Sequence, residues 1–144
     1  MSDSRDQHHL QRFLDAQSAV YPQVLEELRV GRKRSHWIWF IFPQIAGLGI
    51  SPTSQFYAIH SLVEAQAYLL HPTLGSRLRE CTQLVLDVSD RAIDEILGYP
   101  DDLKFRSSMT LFDRAVPSEQ LFVAALKKYF EGQPDPLTLQ KLGE

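Results

Sequence analysis

Residues 61–85 read SLVEAQAYLLHPTLGSRLRECTQLV and predict two consecutive helices, which sets the structural class of the chain. Ser61 and Glu64 have the spacing of a capping box, in which each side chain bonds a free amide of the first helical turn. The pair His71-Pro72 ends the first helix, because the residue before a proline disfavours helical conformation. In the second helix, apolar residues recur at spacings of three and four, at Leu74, Leu78, Cys81, Leu84 and Val85.

Helical signals continue on both sides of this stretch. Towards the N-terminus, a helical period that opens near Leu10 is interrupted by Pro22 and resumes until Gly31, a typical C-cap residue. Towards the C-terminus, Gly98 and Gly132 are expected to end further helices. The chain therefore carries helical patterns from end to end.

Two short windows favour a strand as much as a helix. Trp37–Phe42 and Phe56–Ile59 are short apolar runs, and neither is followed by a hairpin turn such as Asn-Gly. We expect a mainly α fold with at most a minor strand contribution, built from about six to eight short helices. Residues 1–144 are expected to form a single compact domain, with a flexible N-terminus over about residues 1–8.

The composition limits the classes of function. With a net charge of −3, the chain lacks the broad basic face that many phosphate contacts require, so we expect no nucleic-acid partner. No apolar run approaches the roughly 20 residues of a membrane span, and the first residues lack the apolar part of a signal peptide. We therefore expect no membrane association and a cytoplasmic location. Cys81 stands alone in the sequence, so it cannot form an intrachain disulfide.

The common signatures of metal, nucleotide and hydrolase sites are missing from the sequence. No HxxxH, HExxH, CxxC, GxGxxG, Walker or GxSxG pattern occurs. We predict no metal and no cofactor. Whether the protein is an enzyme stays open on these grounds.

The segment GRKRSHWIWFIFPQ, residues 31–44, places a cationic run beside the most apolar part of the chain. The run, which Arg29 extends, contains Arg32, Lys33 and Arg34. Its charges either bind a phosphate, a carboxylate or an acidic partner, or only complement the end of a helix.

The residues that follow the run supply aromatic and hydrogen-bonding groups. His36 is either a proton-transfer group, kept neutral by the neighbouring cations, or a structural histidine. At least one of Trp37 and Trp39 is expected in the core, and the other is a candidate to stack on a flat ligand. Gln44 is expected to join them if the polar side chains converge on one pocket.

A second candidate segment is DDLKFRSSMTLF, residues 101–112. Helical spacing puts Phe105, Met109 and Phe112 on the core face, and Asp101, Lys104 and Ser108 on a polar line that Ser107 adjoins. This line is either an exposed helix face with an Asp-Lys pair or the wall of a cleft in which Lys104 and the serine hydroxyls hold an anion. Two further hypotheses give Asp102 a role in proton transfer and make Lys104 a base that activates Ser108.

These segments, together with SPTSQFYAI and YFEGQPDPLTL, closely resemble the bacterial family catalogued as domain of unknown function 1810. The resemblance extends from about Leu10 to Leu142. It implies a mainly α-helical fold, but it does not imply an activity. The calpastatin label of some members does not fit a compact, well-patterned chain. The tryptophan-rich segment and the pair Lys104-Phe105 are also loosely similar to the NADAR proteins, small mainly α enzymes that act on ADP-ribose-type N-glycosides.

Two hypotheses of different classes follow. In the first, the chain binds or converts a small anionic ligand, nucleotide-like or ADP-ribose-like, in a pocket of cationic, aromatic and hydroxyl groups. Its catalytic candidates are His36, Asp102 and Lys104, and its binding candidates are Arg34, Trp37, Trp39, Gln44, Ser107 and Ser108. In the second, the chain is a non-catalytic interaction module that uses the basic cluster around Arg32–Arg34 to bind an acidic partner.

Overall fold

A computed structural model describes residues 6–144, in which α-helices are the only regular elements. The helices are α1 Gln11–Ser18, α2 Tyr21–Val30, α3 Ile38–Ile41, α4 Pro52–Phe56, α5 Leu62–Leu70, α6 Pro72–Asp87, α7 Ile93–Leu97, α8 Asp101–Ala115, α9 Gln120–Phe130 and α10 Pro136–Lys141. The mainly α class is confirmed. The described residues hold ten helices rather than six to eight, because α3, α4, α7 and α10 have only four to six residues each. Residues 1–5, most of the predicted flexible segment, lie outside the described part of the chain.

Helix α5 ends and α6 begins at His71-Pro72, as the sequence predicts. Glu64 and His71 also make hydrogen bonds that the sequence did not predict. Ser61 Oγ accepts a hydrogen bond from the amide of Glu64 at 3.1 Å, which is the first half of the predicted capping box. The carboxylate of Glu64 bonds the amide of His60 instead of that of Ser61. His71 then caps α6, because its Nδ1 accepts bonds from the amides of Thr73 and Leu74, each at 3.2 Å.

The two ambiguous windows adopt different structures. Trp37–Phe42 contains the short helix α3. In the second window, Ile59 forms an isolated parallel bridge with Ile45. The amide of Ile59 donates to the carbonyl of Gln44, and the amide of Ala46 donates to the carbonyl of Ile59, both at 2.8 Å. This bridge is the only β pairing in the described part of the chain, and it fixes the start of a long loop over residues 43–51.

Helix α8 lies at the centre of the molecule and packs against α3, α5, α7, α9 and α10. The predicted core face is confirmed, because Phe105, Met109 and Phe112 are fully buried. Phe105 meets Phe42 edge to face, with 4.9 Å between ring centroids. Burial of each large apolar side chain stabilises the fold by roughly 1.5–3 kcal/mol. The buried face fixes the rotation of α8, and thereby the direction of its polar residues.

Candidate functional site

Residues 31–37, which we call the cationic segment, fold around one buried carboxylate, that of Glu27 on α2. Glu27 Oε1 accepts bonds from the amides of Arg34 and Ser35 and from the indole N–H of Trp37, at 2.7, 3.1 and 3.0 Å. Its Oε2 accepts bonds from Ser35 Oγ and from Gln23 Nε2. Burial raises the pKa of Glu27, but these hydrogen bonds outweigh burial and bring the pKa to about 2. The charged carboxylate therefore holds residues 34–37 in place.

This arrangement turns most of the polar residues of the segment outwards. The side chains of Arg32, Arg34 and His36 are exposed. Arg32 and Arg34 border a small cavity of about 180 Å³ on α2, together with Glu26. Neither Arg34 nor His36 lines the cavities that contain Trp39 or Lys104 in their walls. The structure therefore separates these two candidates from the others.

Lys33 behaves differently from its cationic neighbours. Its side chain is only 6% exposed, and its Nζ lies 2.8 Å from Asp101 Oδ2 at the start of α8. The same ammonium bonds the carbonyl of Ser35 and lies 5.0 Å from the centre of the Trp37 ring. Trp37 itself is 1% exposed, because Glu27 holds its indole N–H and Lys33 covers its ring. Trp37 is thus the core tryptophan of the pair.

Asp101 connects Lys33 to Lys104, which stands over the second tryptophan. Asp101 Oδ1 lies 3.3 Å from Lys104 Nζ, so the predicted pair on α8 forms. Lys104 Nζ also lies 5.5 Å from the ring centre of Trp39, within the range of a cation–π contact. The two ammonium groups of Lys33 and Lys104 outnumber the single carboxylate of Asp101 between them. A net positive charge therefore lies beside the ring of Trp39.

Two adjoining cavities meet at this contact, and we name them by their linings. The neutral chamber, of about 360 Å³, is lined by Trp39, Gln44, Ser54, Gln55, Tyr57 and His60 among others, and by no Lys, Arg, Asp or Glu of the described residues. The cationic chamber, of about 310 Å³, is lined by Leu103, Lys104, Arg106, Ser107, Asp135 and Leu137 among others. Both walls include Gln44, Leu48, Gly49 and Ser54.

The loop between the chambers is held at several points. The bridge to Ile59 fixes Gln44, as described above. Gly49 lies so close to Ser54 that a Cβ at this position would come within 2.6 Å of Ser54 Cβ. Gln55 Nε2 bonds the carbonyl of Ile50 at 3.0 Å, and Tyr57 packs on Phe40 with 5.4 Å between ring centroids. The shared wall of the chambers is therefore built from contacts rather than from an unsupported turn.

Four of the predicted site residues line the chambers: Trp39, Gln44, Lys104 and Ser107. Ser107 Oγ donates to Asp135 Oδ2 at 2.8 Å, and the same carboxylate oxygen caps α10 through the amide of Thr138. Ser107 thus connects α8 to α10 at the floor of the cationic chamber. Its hydroxyl is already engaged within the protein.

The remaining candidates on α8 point elsewhere. Ser108 is fully buried, and Asp102 lines neither chamber. Burial raises the pKa of Asp102, and the carboxylates of Asp94 and Asp101 add to this effect. Buried polar atoms without a protein partner among the described residues are Trp39 Nε1, Asp102 Oδ1 and Ser108 Oγ. Each of the three belongs to a residue that the sequence had already singled out.

Several lining residues had no clear signal in the sequence. Tyr57 and His60 follow a weakly patterned stretch, and Arg106 lies on the helix between the two predicted stripes. Asp135 precedes Pro136 as a helix cap, a local signal that does not reveal its partner Ser107 28 residues away. A functional loop could be suspected from the length of the irregular segment around Gly47 and Gly49.

The described lining residues bring charged, aromatic and neutral polar groups together. In the described part of the chain, no group of three or more His, Cys, Asp or Glu side chains is arranged to hold a metal ion. The described helices are all too short or too polar to cross a membrane. Two cations, an aromatic face and neutral amide groups instead converge on a concave surface, which suits an anion that carries a flat group.

Comparison with known proteins agrees with the fold and the resemblance. A crystal structure at 1.38 Å of the conserved hypothetical protein Rv1873 from Mycobacterium tuberculosis is similar to this chain, with a TM-score of 0.95 and 57% sequence identity. The match covers 96% of this chain and 99% of that one. No curated protein matches. The family model described as protein of unknown function (DUF1810) matches residues 7–142, and the chain belongs to this family.

Proposed function

We propose that the two chambers bind a small anionic ligand of nucleotide-like character. The observation that carries the proposal is the position of Lys104 Nζ, 5.5 Å from the ring centre of Trp39, where the two chambers meet. A cation beside an aromatic ring attracts an anion, and the part of the ring that lines the neutral chamber provides a surface for a flat group. The volumes of about 360 and 310 Å³ fall in the range of small-molecule sites.

The charge around the chambers supports an anion rather than a cation. Lys104 and Arg106 face Asp135, which already accepts bonds from Ser107 and Thr138. Lys141 adds a further cation nearby, because its side chain lies against Gly47, although it lines neither chamber. The buried ammonium of Lys33 balances the negative charge of Asp101, so Asp101 does not cancel the positive charge of Lys104. Such a field raises the local concentration of anions and orients them.

The proposal assigns binding roles and no reaction. Lys104 holds the anion, Trp39 offers a ring face, and Gln44 lies in the wall of both chambers. Proton transfer by His36, Asp102 or Lys104 stays a prediction. A cytoplasmic setting is part of the proposal, and the single free thiol of Cys81 supports it, because disulfides are typical of oxidising compartments.

The test is a binding measurement with one altered charge. Purified protein is titrated by calorimetry with inorganic phosphate, pyrophosphate, nucleoside monophosphates and ADP-ribose. We expect saturable binding of at least one anion, weakened about tenfold or more in Lys104→Met, because a charge-assisted contact is lost. Lys127→Met, which removes an exposed cation from α9, is the matched control and should bind as the wild type does. Absence of binding to every probe, or equal loss in both variants, would contradict the proposal.

A second function, an interaction module, is favoured by one specific observation. Arg32 and Arg34 are exposed on a segment that the buried carboxylate of Glu27 holds in place, so their charges are presented in a fixed geometry. An acidic peptide is the matching probe. If such a peptide binds and Arg32→Ala with Arg34→Ala abolishes binding while Lys104→Met does not, the interaction module is the better account.

A further inference from the structure

The chambers differ in lining in a way that suggests how a ligand would be divided between them. The neutral chamber contains aromatic side chains and neutral hydrogen-bonding groups, without a Lys, Arg, Asp or Glu among its described lining residues. The cationic chamber contains the charged groups. A uniform pocket for a free anion would not need this division. The division between the chambers matches a ligand whose neutral and charged parts lie at opposite ends.

The neutral chamber suits a planar, uncharged ring with polar edges. Trp39 and Tyr57 provide aromatic surface, and Tyr57 is held by its contacts with Phe13 and Phe40 at 5.8 and 5.4 Å between ring centroids. The amides of Gln44 and Gln55 both donate and accept hydrogen bonds, as the edges of a heterocycle require. A ring with a net charge would find no Lys, Arg, Asp or Glu counter-charge among the described lining residues of this chamber.

The cationic chamber suits a compact, multiply charged group. Arg106 Nε and Nη2 already donate to the carbonyls of Gln133 and Pro134, each at 3.0 Å. These two bonds use only part of the N–H donors of the guanidinium, which adds positive charge to the chamber. Lys104 acts as a point charge, which is how lysine binds phosphate. The two cations in this wall suit a phosphate monoester, which carries a charge of about −1.5 to −2 at pH 7, better than a singly charged carboxylate.

The geometry points to a phosphate ester of a neutral heterocyclic compound, with the ring in the neutral chamber, the phosphate in the cationic chamber and a short linker at Gln44 and Gly49. This assignment rests on the proposed function and narrows it to one ligand class. Trp39 is then the residue that selects for the ring, and Lys104 the residue that selects for the phosphate. The residues line different chambers, so each substitution should act mainly on its own part of the ligand, with some coupling through the contact between the two side chains.

The experiment compares three kinds of probe by calorimetry at one salt concentration: inorganic phosphate, the nucleosides adenosine, guanosine, cytidine and uridine, and the four matching nucleoside monophosphates. At least one monophosphate should bind about tenfold or more tightly than inorganic phosphate, as expected for one stacked base. Trp39→Leu should remove that advantage and change phosphate binding by a much smaller factor, because the ring contacts Lys104 but not the phosphate. Lys104→Met should weaken phosphate and monophosphate alike and leave nucleoside binding unchanged.

The outcomes separate this inference from the proposed function. If phosphate binds through Lys104 but no monophosphate binds more tightly than phosphate, the two-part ligand is wrong and the anion site stands. If a monophosphate binds more tightly but Trp39→Leu keeps the advantage, the placement of the ring is wrong. If none of these probes binds, the phosphate-ester assignment fails, and the proposed function fails with it if pyrophosphate and ADP-ribose do not bind either. Thermal unfolding of each variant is recorded first, and Trp39→Met, which also lacks an aromatic ring, replaces Trp39→Leu if the latter does not fold.

Discussion

At the scale of single residues, Glu27 determines how the cationic segment is presented. Its pKa falls from the ordinary value of 4.5 to about 2, because hydrogen bonds to the charged form outweigh burial. A lowered pKa in the folded state stabilises the fold above about pH 4.5 and loses that effect as the pH falls towards 2. We expect Glu27→Gln to lower the free energy of unfolding at pH 7 by about 3 kcal/mol.

Urea denaturation at pH 7 and pH 3 measures this effect. The difference between wild type and Glu27→Gln should be smaller at pH 3. At that pH the Glu27 carboxyl is already protonated in the unfolded chain, so its low pKa in the folded state stabilises the fold less than at pH 7. The neighbouring Glu26 is exposed, so Glu26→Gln should stay within about 0.5 kcal/mol of the wild type. Equal stability of the two variants at pH 7 would show that Glu27 does not organise the segment.

The choice between Trp37 and Trp39 shows what the sequence alone cannot decide at this scale. Both residues lie in one apolar run, and the local pattern did not distinguish a helix from a strand there. The core position of Trp37 depends on partners elsewhere, namely Glu27 on α2 and the ammonium of Lys33. Composition could place one tryptophan in the core, but only tertiary contacts determine which.

At the scale of elements, the helix boundaries followed from local signals. Gly31 ends α2, Gly98 ends α7, and His71-Pro72 separates α5 from α6, as the sequence predicts. These signals depend on the backbone conformation of one or two residues, so they need no knowledge of distant contacts. The cap of α6 by His71 and the bridge between Ile45 and Ile59 depend on side-chain direction and long-range pairing, so neither could be predicted from local signals.

The close contact of α5 with α6 provides a test at this scale. Gly75 lies in α6 against the end of α5, and a Cβ at this position would overlap the carbonyl oxygen of Leu69. Gly→Ala in a helix usually stabilises, but here overpacking should lower the free energy of unfolding by about 1–3 kcal/mol. Chemical denaturation of Gly75→Ala measures the change, and Ser76→Ala at the exposed neighbouring position is the control. A more stable Gly75→Ala protein would contradict this packing.

At the scale of the whole molecule, the chambers are assembled by contacts across long stretches of chain. Lys33 reaches Asp101, and Ser107 reaches Asp135, so α8 connects the cationic segment with α10. The polar line of α8 was visible in the sequence, and Lys104 and Ser107 do line the cationic chamber. Arg34 and His36 were expected beside them and are exposed elsewhere, because the bonds of Glu27 fix that segment on α2. Sequence proximity to Trp37 was a poor guide to their position.

Cys81 reports on the stability of the whole fold. Burial raises the pKa of its thiol to about 12, and its side chain is fully buried. Reaction with a thiol reagent at neutral pH therefore requires an opening of the core. We expect labelling of the native protein to be slow and to accelerate with urea in proportion to the unfolded fraction. Rapid labelling without denaturant would show that the core around α6 opens locally.

The most direct test of the account uses the two tryptophan indole N–H signals in a ¹H–¹⁵N NMR spectrum. Trp39 lines the neutral chamber, whereas Trp37 is buried and bonded to Glu27, so the second signal is an internal control. Assignment follows from Trp39→Phe. On titration with the tightest-binding nucleoside monophosphate, we predict a saturable shift of the Trp39 signal and an unchanged Trp37 signal. If the Trp39 signal stays fixed, or both signals move equally, the ligand site is not where the two chambers meet.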